Sequence, residues 1–106
     1  MLGHMTKMRL QRYTTIPDGM GGWEESWVDR GYFVGQLSVV SGREIILSDK
    51  TTVVSTHKFY IDYPKGDLIP QEKDRFVYNS RIFDVLFVGN PANKNSHLEI
   101  ELEEKV

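Results

Sequence analysis

HLEIELEE, His97 to Glu104, is the stretch whose reading decides the fold. Leu98, Ile100 and Leu102 alternate with Glu99, Glu101 and Glu103, so one face is apolar and the other carries carboxylates. A period of two is the spacing of a strand with one face on a core and the other in water; a helix would need 3.6. The same period recurs on working outward. RIFDVLFVG (Arg81–Gly89) has a near-continuous apolar run from Ile82 to Val88, which predicts a strand covered on both faces or one carrying a bulge. DRFVY joins it across Asn79–Ser80, a two-residue hairpin turn in which asparagine tolerates positive φ. In TVVSTHKFYIDY, Phe59, Ile61 and Tyr63 oppose Lys58, Tyr60 and Asp62. SWVDRGYFVGQLSVV reads as one long strand or two, with a break near Asp29–Gly31 and with Phe33, Gly35, Leu37 and Val39 on one face. In MRLQRY, Met8 and Leu10 oppose Arg9 and Gln11.

Two segments break the alternation. SGREIILSDKTT begins with Ser41 and has Glu44 three residues later, the spacing of a capping box. It predicts a short helical excursion over about Ser41–Asp49, either functional or a plug for one end of a barrel. YPKGDLIPQEKD, Tyr63 to Asp74, holds two prolines and a glycine and reads as a surface loop, because proline cannot donate to a central ladder. The fold class that follows is all-β: a small six-strand barrel or sandwich with one short helical excursion.

Composition sets the limits. The chain has 106 residues, 40% of them hydrophobic and 26% charged, which fits one globular domain, placed at residues 8–104. GHM at the start resembles the scar of a cloned tag, so residues 1–7 are set apart as a tag remnant or disordered start and His4 is left out of site reasoning. A net charge of −2 gives no bulk attraction to nucleic acid or anionic membrane. With no cysteine, disulfides, thiolate zinc sites and cysteine nucleophiles are excluded. No apolar run reaches membrane-spanning length.

Function classes were tested against the residues. His57 and His97 lie in separate strands with no ligand cluster around them, and neither G-x-S-x-G nor H-E-x-x-H occurs. The expectation is no enzyme, no metal and no cofactor. PDGMGGWEESW (Pro17–Trp27) is rich in glycine but lacks the lysine and Ser/Thr of a phosphate loop, and Glu24 and Glu25 would repel an anion. It reads instead as a hairpin turn. Trp23 and Trp27 share a strand face and either pack on the core or grip a neighbouring subunit. A single-stranded nucleic-acid-binding barrel is the alternative from another class, against which the scattered basic residues argue.

The order of these features resembles the bacteriophage head-tail joining proteins, also called head-closure, stopper or adaptor proteins. The matching string is MRLQRYT, then DGMGG, the tryptophan-bearing WEESWVDRGYFVGQLSV, SGREI, DRFVYNSRIFDVLFVGNP and NSHLEIELEE. The resemblance implies a structural protein that forms a ring in the virion neck. Such a ring closes the DNA-filled head below a portal and its adaptor and docks the tail. A tail-completion or terminator protein is the nearest alternative. The head-tail joining resemblance also implies that the segment after the second strand faces the channel, with Arg43, Glu44, Asp49 and Lys50 towards packaged DNA or neighbouring copies. Implied partners are copies of itself, a portal or adaptor protein, a tail protein and non-specifically held DNA, with no membrane. The chain would be made in the bacterial host cytoplasm.

Overall fold

The computed structural model describes residues 5–46 and 52–105. Among the described residues there are six strands: β1 (Met5–Pro17), β2 (Trp23–Ile46), β3 (Thr52–Asp62), β4 (Arg75–Tyr78), β5 (Arg81–Gly89) and β6 (His97–Lys105). All neighbours are antiparallel, and they close into a barrel in the order β1-β2-β3-β6-β5-β4. Closure removes the edges that an open sheet of this size would expose. β1 begins at Met5, so residues 5–7, which were set apart from the domain, are paired with β2.

The core is the inward row that alternation predicts. Met8 and Leu10 of β1, Phe59 and Ile61 of β3, Phe76 of β4, Phe83 and Val85 of β5, and Leu98, Ile100 and Leu102 of β6 are all buried. Phe76 sits at the centre, edge-on to Phe59 and to Phe33. Phe33 and Leu37 pack against the core, but Val39 of the same predicted face is 80% exposed. The reason is a register shift between Val39 and Arg43, where β2 leaves the barrel. Glu101, expected in water, is only 4% exposed. It lies beside the Lys58 ammonium at 3.6 Å, and a register shift between Val85 and Phe87 on β5 displaces the neighbouring chain there. The predicted bulge in Ile82–Val88 is that shift, and the Asn79–Ser80 turn is present with Asn79 at φ 55.

The helical excursion over Ser41–Asp49 needs correction. Ser41 to Ile46 continue β2, and Arg43–Ile46 pair with Ser55–Thr52; Leu47 to Asp49 lie outside the described residues. A two-turn helix has little to offset its nucleation cost. The β-branched Ile45 lies opposite Val53, and Glu44 opposite Val54, which suits a hairpin better. The barrel end is plugged elsewhere. Leu68 and Ile69, in the loop read as purely superficial, pack against the core, and Pro70 is buried.

β2 and β3 approach each other closely at Gly35. A Cβ there would lie 2.1 Å from the Tyr60 carbonyl oxygen and 2.6 Å from the Ile61 side chain. Neither neighbour is a loose side-chain end, so the strands would have to part. Gly35→Ala is expected to lower stability by about 1–3 kcal/mol, read as a drop in the denaturant midpoint. Gly66→Ala, where nothing lies within 4 Å, should leave the midpoint within about 0.5 kcal/mol of the parent.

Candidate functional site

Two hairpins outrun the barrel. β4 pairs with β1 only from Arg9 to Gln11, yet β1 and β2 remain paired as far as Pro17 and Trp23. The part of β1 beyond Gln11 and the start of β2 therefore form a two-stranded arm. Its root is marked by a register shift between Leu10 and Gln11. A second arm is built from Arg43–Ile46 and Thr52–Ser55, beyond the last β3–β6 pair at His57 and Leu102. With these projections the molecule measures 52 × 30 × 30 Å.

The first arm ends in the glycine-rich turn. Gly19 and Gly21 have φ of 83° and 85°, the left-handed region that glycine enters without cost. The Asp18 carboxylate accepts from the Met20 and Gly22 amides at 2.7 and 3.0 Å. Asp18 N–H donates to the Gly22 carbonyl at 3.1 Å and closes the turn. These bonds leave Met20 90% and Trp23 70% exposed at the tip. Trp27 has a different fate. Its ring lies against Tyr13, opposite it on β1, with centroids 5.1 Å apart. The Arg75 guanidinium lies over the Trp27 ring, 4.2 Å from its centroid. The two tryptophans that sequence alone treats as a pair are thus separated: Trp27 is spent within the molecule and Trp23 is presented outward.

Polar side chains stiffen the root of this arm. Arg12 makes two bonds of 2.9 Å to the Asp74 carboxylate and a third to the Ile69 carbonyl. Asp74 also accepts from the Gln71 amide. The hydrogen bond to Asp74 raises the Arg12 pKa above its ordinary value. On the outer face Gln11 donates to Asp29 at 2.7 Å and accepts from Arg75 at 2.7 Å, and Arg9 lies 3.2 Å from Asp29. Sequence reading treated these basic residues as scattered. The Asp-Arg step of DRFVY was the available signal: Asp74 clamps Arg12 while the next residue, Arg75, covers Trp27.

The second arm carries part of the expected channel set. Glu44 is exposed on it and Arg43 lies in its ladder; Asp49 and Lys50 fall outside the described residues. At its root Ser55 is buried; its hydroxyl lies 2.9 Å from the His57 carbonyl and 3.2 Å from the Leu102 carbonyl, and its one proton is shared between them. Thr56 Oγ1 accepts from the Glu104 amide at 2.8 Å and bonds His57 Nδ1. The His57 ring stands edge-on to Phe83. The other histidine, His97, lies on the outside with its Nε2 3.2 Å from Glu99. Among the described residues no helix is long and apolar enough to cross a membrane.

A rigid barrel with two exposed arms and a tryptophan at one tip is built for contact with other chains. The phage head completion protein family matches this chain over residues 5–105. The chain belongs to that family. Head completion in a phage particle is accordingly the structural role to be explained, as the sequence resemblance led us to expect. Among solved structures, a chain in the virion of a native gene transfer agent particle has the same fold. Its TM-score is 0.64 at 22% identity, with 99% of each chain covered. No curated protein matches.

Two outcomes follow from the geometry of the arm roots. Replacing Asp74 by Asn leaves Arg12 without its counter-charge at a half-buried position and should cost about 3 kcal/mol, measured by urea unfolding. His57 gives a pH signature. Burial lowers its pKa, Glu104 opposes the shift and Arg81 adds to it. The unfolded chain therefore takes the proton first as pH falls below about 6.5. Stability is complete above that value and is lost as pH falls from there towards the lowered folded pKa. Glu104 is itself held below its ordinary value by Arg81, so its own loss begins only below about 4.5. The melting temperature should begin to fall as the pH drops below about 6.5, and His57→Gln should flatten that fall.

Proposed function

We propose that this head completion protein works without catalysis, as one domain repeated in a ring within the virion neck. The ring closes the DNA-filled head on one side and docks the tail on the other. The observation that carries this reading is the pair of arms leaving a closed barrel in a chain whose family match spans residues 5–105. A closed barrel has no lateral edge to share, so assembly contacts fall to the arms. Contacts between unlike surfaces of identical chains close into rings when the rotation permits.

In this reading the partners are further copies of the chain, a portal or adaptor protein above, a tail protein below and packaged DNA held without sequence preference. The second arm faces the channel with Arg43, Glu44, Asp49 and Lys50, and the first grips a neighbour through Trp23. Trp27 keeps the first arm stiff. The barrel surface supports a structural role over nucleic-acid binding. Lys58, beside Tyr60, lies 3.0 Å from Glu99 and 3.6 Å from Glu101, which offsets its charge.

Deleting the gene from its phage should give filled heads and finished tails that remain separate, as seen by electron microscopy of lysates. Intact virions would overturn the reading. Replacing Glu44–Val54 by an Asn-Gly turn should leave the barrel folded by circular dichroism while heads lose their DNA. Full heads from that variant would remove the channel role from the second arm.

A further inference from the structure

The first arm has two strand edges that nothing among the described residues pairs with. On β1 the ladder to β4 stops at Gln11, while the strand runs on to Pro17. On β2 the ladder to β3 begins at Gln36, while the strand starts at Trp23. Because β1 and β2 bond to each other, the two free edges lie on opposite sides of the arm. Unpaired backbone N–H and C=O groups along an edge are a template for another strand. Soluble proteins usually blunt such edges with lysine or proline. Here Tyr13-Thr14-Thr15-Ile16 is strongly β-forming and uncharged, and Pro17 comes only at its end.

We propose that the arms of adjacent copies join edge to edge, with the free edge of β1 (residues 12–16) in one copy pairing with the free edge of β2 (residues 24–28) in the next. The inference rests on the ring reading above and specifies its contact. The pairing is antiparallel, because arms related by rotation present β1 and β2 alternately. It is also unlike-to-unlike, so each copy gives one edge and receives another. A closed circle of arms then has no free edge, the same solution that the barrel uses within one chain.

The receiving edge has room and the right charge. A groove of about 590 Å³ runs beside it, lined by Arg12, Tyr13 and Trp27 on one side and Gln71 to Asp74 on the other. Lys73 is exposed on its rim. Glu72 lines the same groove but has an interaction of its own. The incoming edge brings Glu24 and Glu25, both exposed. The Arg12–Asp74 clamp fixes the floor beforehand, so little ordering is left for the moment of docking. Trp23, at the end of the incoming edge, is carried over the neighbour's surface.

The test uses particles of the phage that carries this gene, with the gene deleted and supplied from plasmids. The chain has no cysteine, so introduced thiols report only new bonds. Thr15→Cys and Glu25→Cys are supplied as two separate chains, because the two positions pair within one hairpin. Disulfide-linked dimer on a non-reducing gel should exceed that from Asn79→Cys with Glu25→Cys by about tenfold, since paired edges hold thiols at high effective concentration. If the first pair yields no particles, Thr14→Cys with Ser26→Cys replaces it. Lys73→Glu should cut the yield of joined particles by about tenfold, and adding Glu24→Lys and Glu25→Lys to the same chain should restore it. A neck ring seen by cryo-electron microscopy whose edge cysteines cross-link no better than the control overturns the edge pairing and leaves the ring standing. A neck without a ring of this chain overturns the ring, and the pairing with it.

Discussion

The rest of the structure depends on the length of β2. Its 24 residues would extend about 80 Å if straight, at roughly 3.3 Å per residue, yet the molecule is 52 Å long. The strand must therefore bend, and it does so where its registers with β1 and β3 slip. Between the slips it belongs to the barrel; outside them it belongs to the arms. Gly35 lies in the central part, where β2 approaches the Tyr60 backbone too closely for any side chain. β4, by contrast, has four residues and supports β1 over only a short span. The mismatch between the longest and shortest strands is what leaves backbone unpaired.

Burial follows from that geometry. Inside the barrel, alternation gives the apolar row its place, and the aromatic rings of Phe33, Phe59 and Phe76 meet edge to face. The arms have no such interior. They are held by polar and aromatic contacts at their roots: Arg12 with Asp74, Tyr13 with Trp27 under Arg75, and the Ser55, Thr56 and His57 bonds to β6. These fix the arm roots against the barrel, while the tips carry exposed residues such as Met20, Trp23 and Ile46. Stiff roots with exposed tips suit a part that must dock without first being ordered.

Most of the barrel was legible in the sequence. The rows Met8–Leu10, Phe59–Ile61 and Leu98–Ile100–Leu102 announce their strands because burial on one face leaves a period of two. The Asn79–Ser80 turn and the bulge in Ile82–Val88 were legible because each has a local cause. Reading failed where the cause is distant. Ser41–Ile46 carries a capping-box signature, but pairing with Thr52–Ser55 satisfies the same backbone groups and overrides it. Glu101 follows the alternation of β6, yet a slip in β5 and the position of Lys58 bury it. The family resemblance was legible because it lies in the order of short motifs, which survives when single residues change.

The sequence by itself determined that this protein is a six-strand all-β domain, which strands face its core, and the family to which it belongs. Hydrophobic period and turn chemistry are local properties, and a reader of the chain can see them. Only the tertiary structure decided that Trp27 turns inward to Tyr13 and Arg75 while Trp23 does not, although both have the same parity on the same strand. It also decided that Asp74 clamps Arg12, and that β1 and β2 run past their neighbours into an arm. Those outcomes depend on where one strand ends relative to another once the barrel has closed. No local pattern encodes that distance, because it is set by the register of the whole sheet.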